Sequence, residues 1–307
     1  MTFLSLLAAL ALEQAWPLRQ GNPFREAYRR CAQWLQGQLD GGELRHGTIA
    51  WLAAVVPVAA LTVALEHALG ALGLLAFLLW NVAVLYLTMG FRQFSHAFTE
   101  IQKALRAGDL QGARDRIGNW RGEPSSQLGA GEVARLAIEH GLVASHRHVF
   151  GTLFWFVALG AAGAVMYRAS AMLTDAWPAP AAPEPGGFGR FSKRAFYWLD
   201  WLPARVTAAC FAIVGDFEDA AYCWRTQARA WAAQPDGILL AAGGGALGVR
   251  LGDALPRADG TLEFRPEMGL GEEADADAME SATGLTWRAL VLAMFLILLV
   301  SLAHALG

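Results

Sequence analysis

The sequence predicts an all-α, polytopic integral membrane protein with about four or five transmembrane helices plus interfacial and cytoplasmic helices. Three observations lead there. Of the 307 residues, 55% are hydrophobic and only 17% charged, whereas a soluble domain carries roughly 25% charged residues. Lysine is nearly absent, with only Lys103 and Lys193, while the chain holds 12 Trp and 16 Phe. Long apolar runs recur, and about 20 apolar residues cross the ~30 Å hydrocarbon core as a helix that satisfies its own backbone.

Residues 1–47 read as an N-terminal interfacial helix and a cytoplasmic segment. The apolar stretch "FLSLLAALAL" (3–12) is too short to span, and no basic residue precedes the cleavage-like Ala9-Leu10-Ala11, so a retained, interfacial or partly inserted helix is expected. Residues 48–90 form a transmembrane hairpin, because "TIAWLAAVVPVAALTVAL" (48–65) and "ALGLLAFLLWNVAVLYLTMG" (71–90) are separated only by "EHALG". Residues 91–148 make a cytoplasmic helical segment, with Gly108 breaking one helix from the next and "GAGEVARLAIEHGLVASHRHVF" running on into the following span.

Residues 149–215 hold a transmembrane helix and a re-entrant or interfacial helix. The first, 149–173, has a small-residue middle, Gly160 to Ala164, that lets a neighbouring backbone approach. The second, 201–215, is short and carries Arg205. A Pro/Gly loop (176–190) lies between them. Residues 216–284 are a polar segment with a Gly-rich turn and an acidic tether, "GEEADADAME" (271–280), expected to be solvated and mobile. Residues 285–307 supply the C-terminal transmembrane helix, whose Arg288 can snorkel to the headgroups.

Charge gives the expected orientation. Five arginines in 14–47 and a run of basic residues in 91–148 flank the hairpin, so the positive-inside rule puts both on the cytoplasmic side of a bacterial inner membrane. The expected partners are the lipid bilayer and an envelope ligand or membrane protein. A net charge of −3 lacks the basic face that nucleic acid requires. Cys31, Cys210 and Cys223 form no CxxC pair and are expected to be reduced, buried packing residues.

Few motifs carry chemistry. His140, His146 and His148 precede a span, but an i,i+2 pair on a helix points to different faces, so no metal site is expected. "AAGGGALGVRLG" (241–252) lacks the Gly-Lys-Ser/Thr ending of a P-loop and reads as a turn packed closely on another backbone. In "FYWLDWLPAR" (196–205), Trp198 and Trp201 suit the headgroup boundary. Pro203 suits a first helical turn, Asp200 a cap before it, and Arg205 a partner for Asp200 or for a headgroup. The candidate ligand pocket is Glu139, His140, His146, Arg147, His148, Asp200 and Arg205. No catalytic residue can be assigned from these patterns.

"ALRAGDLQGARDRI", "EVARLAIEH", "TLFWFVALGAAGAVMYR", "FGRFSKRAFYWLDWLPARVTA", "GGGALGVRLG" and "RPEMGLG", in this order and spacing, resemble the CobD/CbiB family of membrane-bound cobinamide-phosphate synthases. "LALEQAWPLRQGNPF" and "LDWLPARVTAACFAIVGDFEDAAYCW" resemble its AmpE-like branch. The family's synthases join aminopropanol phosphate to a corrin carboxylate at the expense of ATP, which implies polar groups for phosphate and carboxylates for metal. Against the family pattern, Glu139 is kept, while Val143, Ala144 and Arg147 occupy polar positions. Ala171 to Thr174 stand where an N-T-L-D pattern is expected, Phe196 and Tyr197 where a paired aspartate is, and Leu239-Leu240 where a Pro-Glu pair is, while Asp200 replaces an Asn. Shaping residues such as Gly108, Gly160, Gly163, Pro203, Gly245 and Gly248 remain.

The resemblance therefore implies a kept scaffold whose nucleotide chemistry is removed. The expected function is an AmpE-like, non-catalytic inner-membrane protein, signalling envelope status in β-lactamase induction, with no cofactor. The alternative is an active cobinamide-phosphate synthase, which would use Mg-ATP.

Overall fold

A computed structural model describes residues 2–16, 23–177, 187–256 and 261–306. Nearly all of them are helical: α1 (Thr2–Ala15), α2 (Pro23–Leu39), α3 (Leu44–Ala71), α4 (Leu74–Thr88), α5 (Phe91–Arg106), α6 (Leu110–Arg121) and α7 (Ala130–Ser145). A π turn (His146–Phe150) then leads into α8 (Gly151–Ala176), followed by α9 (Gly189–Val214) and α10 (Phe217–Gln227). A 3-10 turn (Ala228–Ala230), α11 (Gln234–Leu247) and α12 (Ala276–Leu306) complete the helices. Four two-residue strands, β1 (Val249–Arg250), β2 (Leu255–Pro256), β3 (Leu262–Glu263) and β4 (Glu272–Glu273), sit between α11 and α12. The all-α class holds.

Three helical stretches are long and apolar enough to cross a membrane: Leu44–Ala71, Ala130–Ala176 and Ala276–Ala303. They absorb the expected spans at 48–65, 149–173 and 285–306. The expected second arm of the hairpin, α4, has 15 residues, which rise only about 22 Å, short of the ~30 Å core. The hairpin turn falls at Leu72 and Gly73, so α3 continues through the "EHALG" that the sequence suggested as the connection.

The chain divides into two compact units: residues 1–92, 147–203 and 301–307, and residues 93–146 and 204–300. In the first, α2, α3 and α8 bury a core that includes Leu35, Val55, Leu173, Trp177 and Phe188. The Trp177 indole N–H, buried with its ring, donates to Ala32 O at 2.9 Å. α1 packs on α4 and is tied there by polar contacts: the Tyr86 hydroxyl donates to Trp16 O at 2.6 Å, and the Arg92 N–H donates to the buried Glu13 carboxylate at 3.3 Å. Gly160 breaks α8 from within, at φ +68° and ψ −157°, a backbone that an L side chain rarely adopts.

In the second unit α10, α11, the 3-10 turn and α7 pack together. "AAGGGALGVRLG" is mostly the C-terminal half of α11, ended by Gly248. The helix outcompetes the expected turn because small residues allow contact on all sides. A Cβ on Gly244 would meet Gly269 Cα at 2.9 Å, and one on Gly245 would meet Asp219 O at 2.5 Å. Gly269 itself sits at φ +75°, and a Cβ there would lie 2.3 Å from Val249 O. The Gln227 amide clamps it, donating to Gly269 O at 3.0 Å and accepting from Gly269 N at 2.7 Å.

Three other expectations need correction. The acidic tether is structured: β4 pairs with β1 in parallel, Val249 opposite Glu272 and Arg250 opposite Glu273, and residues from Ala276 onward already belong to α12. Its acids have a local partner, since Arg106 on α5 bridges Asp277 at 2.9 Å and Glu280 at 2.5 Å. Asp200 and Pro203 lie inside α9, eleven and fourteen residues past its first residue, so neither can cap or open a helix. Cys31 is exposed, while Cys210 and Cys223 are buried as expected. By contrast α5 and α6 part at Gly108, as the sequence indicates. The Pro/Gly loop falls largely at 178–186, outside the described residues.

Two outcomes follow from this packing. Gly269→Ala should destabilise the protein by roughly 2–4 kcal/mol, through a strained φ and a backbone clash, read as a lowered melting temperature in detergent. At pH 8 a maleimide should label Cys31 alone in the folded protein and all three thiols after denaturation. Burial pushes the Cys223 thiol up to about 11, and the thiolate is the reacting form. Native labelling of two or three cysteines would contradict the packing.

Candidate functional site

α7 carries the residues around which the site is built. Glu132, Arg135 and Glu139 are spaced three and four apart, which puts them on one face of the helix. Glu132 reaches back to accept the Gly129 N–H at 2.6 Å, closing half of a capping box. One turn on, Arg135 donates to Ala254 O at 3.0 Å and pairs with Asp253 at 3.4 Å.

Glu139 is buried, and its partners come from the segment after α11. One carboxylate oxygen accepts the Gly252 N–H at 2.7 Å and an Arg265 Nη2–H at 3.2 Å; the other accepts from Arg265 Nη1 at 2.6 Å. Arg265 also donates to Asp253 O and Gly252 O, at 3.1 and 2.9 Å, and lies over the Trp231 ring at 5.6 Å. The clamp thus fixes the backbone of Gly252 and Asp253 from both sides. Asp253 stands at φ +66°, alone among the described non-glycine residues in having positive φ. Such a conformation costs about 1–3 kcal/mol and persists where neighbours over-determine it.

Above this clamp lies a hollow of about 360 Å³. Four carboxylates line it: Glu132, Asp253, Glu267 and Glu273. Two guanidiniums, Arg135 and Arg250, face them, and Gly129 and Gly131 bring the start of α7 to its wall. Arg250 holds Glu273 only loosely, at 3.5 Å with both side chains exposed. Oxygen acceptors, cationic donors and a helix N-terminus thus meet in one small space, the combination that phosphate groups and an amine both require. The motif positions compared above implied that such groups had been lost. The carboxylates of this hollow come from other positions.

The sequence-predicted residues scatter. Glu139 holds the backbone at Gly252, next to Asp253, which lines the hollow. His140, half-buried, meets the Trp120 ring edge-on at 4.4 Å. His146 is fully buried, with Nδ1 2.9 Å from the Thr207 hydroxyl. Arg205 lines a separate hollow beside α9, α10 and α11. In the other unit, Arg147 lies over the Phe196 ring at 5.8 Å and its carbonyl accepts from Arg168. His148 is half-buried there. Asp200, 1% exposed, accepts the Tyr167 hydroxyl proton at 2.7 Å. Arg147 and Asp200 therefore share one aromatic surround, since the Tyr167 and Phe196 rings meet at a tilt of 38° with centroids 5.4 Å apart. Sequence reasoning missed Glu132, Arg135, Arg250, Asp253, Glu267 and Glu273. The only available signal was the spacing of Glu132 and Arg135 ahead of Glu139.

A family model described as CobD/Cbib protein matches residues 6–286. A protein of Stutzerimonas stutzeri named cobalamin biosynthesis protein CobD is 36% identical over 293 residues, 93% of each chain. A like-named protein of Chromobacterium violaceum is 38% identical over 69% of each chain. One from Mycobacterium tuberculosis is 28% identical over 71% of this chain and 74% of its own. No solved structure matches the chain.

Removing one partner of the clamp strands a buried charge, which costs roughly 3–5 kcal/mol. Glu139→Ala and Arg265→Ala should each lower stability by about that much in detergent unfolding. The double variant should cost clearly less than the two single losses added together, as for any coupled pair.

Proposed function

This chain belongs to the CobD/CbiB protein family, and from that premise we propose that it is a membrane-bound cobinamide-phosphate synthase of cobalamin biosynthesis. It would form an amide between a corrin acid and aminopropanol phosphate at the expense of ATP. The observation that carries this reading is the hollow in which Glu132, Asp253, Glu267 and Glu273 face Arg135 and Arg250. The name shared by the relatives, one of them 36% identical along 93% of both chains, supports it. An AmpE-like signalling role, and with it a part in β-lactamase induction, draws no support from those names or from a site so rich in ionisable groups.

ATP-driven amide formation needs phosphate charge neutralised and a proton removed from the attacking amine. Arg135 and Arg250 suit the first task, helped by the positive end of α7. The exposed carboxylate of Glu267 suits the second, since it can first hold the ammonium form and then accept its proton. Among the described residues, no three His, Cys, Asp or Glu side chains gather as a metal cage. A magnesium ion held by one or two carboxylates plus the nucleotide's phosphates needs no such cage; Glu273 would fit that part, and the ion would supply charge neutralisation on the phosphates. We place the protein in the bacterial inner membrane as a multi-pass chain with the hollow on the cytoplasmic side, where ATP is found.

Purified protein incubated with Mg-ATP, a corrin acid and aminopropanol phosphate should yield the amide with matching ATP consumption. A folded preparation that gives no product overturns the reading. Arg250→Ala and Glu267→Gln should each lower turnover by roughly a hundredfold while leaving the melting temperature unchanged. Retained turnover in both variants would remove the hollow from the chemistry.

A further inference from the structure

A second hollow, of about 530 Å³, lies in the same unit and takes no part in the proposed chemistry. Its walls are the C-terminal part of α9, α10, the 3-10 turn and the start of α11. Arg205, Arg225 and Arg229 line it from three of these elements, and no Asp or Glu is among its lining residues. Surface arginines are ordinarily solvated and mean little. Here, however, they converge on a cavity whose other lining residues, Gln234 apart, are apolar, including Ile213, Phe217 and Trp224. Among the described residues neither Arg225 nor Arg229 has an ion-pair partner, so their charge is available to a ligand.

The rim identifies the ligand class. Ile213 and Phe217 line the hollow yet remain 59% and 62% exposed, and Val206 and Tyr222 nearby are also exposed. A soluble anion needs the guanidiniums but has no use for an exposed apolar lip. An amphiphile uses both. The unit also carries most of α12, which is long and apolar enough to span, so bilayer lipid is close at hand. We propose that this hollow binds the headgroup of an anionic phospholipid, with the phosphodiester between Arg225 and Arg229 and the first acyl carbons along Ile213 and Phe217. The cavity is of ligand-pocket size; the rest of each acyl chain would remain in the bilayer. Basic pockets at the membrane surface recognise lipid headgroups in this way.

The test uses the full chain in a neutral detergent, titrated with phosphatidylglycerol, phosphatidylcholine or water-soluble glycerol phosphate, with retained molecules counted by native mass spectrometry. Phosphatidylglycerol should be retained in preference to phosphatidylcholine. Arg225→Gln/Arg229→Gln should weaken that retention roughly thirtyfold, the scale expected for two guanidiniums beside an anionic headgroup. A photoreactive phosphatidylglycerol should crosslink to peptides of α9–α11 in the unaltered protein, a readout that does not depend on the variant folding. Equal retention of both lipids, unchanged retention by the folded double variant, or crosslinks confined to other peptides would overturn the proposal. Displacement of phosphatidylglycerol by glycerol phosphate at equal concentration would also overturn it, by assigning the hollow to a soluble anion.

Discussion

The buried pairing of Glu139 with Arg265 is the constraint on which the candidate site depends. A buried ion pair contributes little net stability unless its remaining hydrogen-bonding capacity is filled. Here the filling is done by main chain: Gly252 donates to the carboxylate, while Gly252 O and Asp253 O accept from the guanidinium. The charges thus hold a backbone in place as well as each other. That backbone presents Asp253 to the hollow and brings Arg135 within reach of it. Substituting an apolar pair could preserve packing, yet it would leave Gly252 N–H and two carbonyls without these partners.

Close glycine packing works alongside the clamp. The Gly244–Gly269 approach and the Gln227 amide place Gly269 against α11, just ahead of β4, whose Glu273 lines the hollow. The short β1–β4 ladder sets Arg250 opposite Glu273, so charge on the two sides of the cavity is matched by backbone register. The flexible, loosely paired groups are those left exposed, Arg250 and Glu273.

The membrane-facing parts follow different physics. On α3 and α12 many large apolar side chains remain exposed, among them Leu61, Val291 and Phe295, as helices facing hydrocarbon should. Some buried polar groups within the first unit are met internally, as Trp177 is by Ala32 and Asp200 by Tyr167. These features were partly legible. The spans could be read because an apolar run of sufficient length is a local property of the chain, and Gly108 because glycine relieves a positive φ wherever it occurs. Asp200 could not be read. Its neighbours Trp201 and Pro203 resemble a helix start, and only the burial of α9 against Tyr167 makes it an interior acceptor.

The sequence by itself determined the helical class, the lipid-facing character and the break at Gly108, since these depend on composition, period and the conformational range of single residues. Tertiary structure alone decided which ionisable groups share a hollow. Glu132, Asp253, Glu267 and Glu273 are separated by up to 141 positions, and nothing in the local pattern of any one of them marks it as a neighbour of the others. An acid's chemistry is set by the charges and dipoles within a few ångströms of it, and that neighbourhood exists only once the chain between α11 and α12 has folded back onto α7.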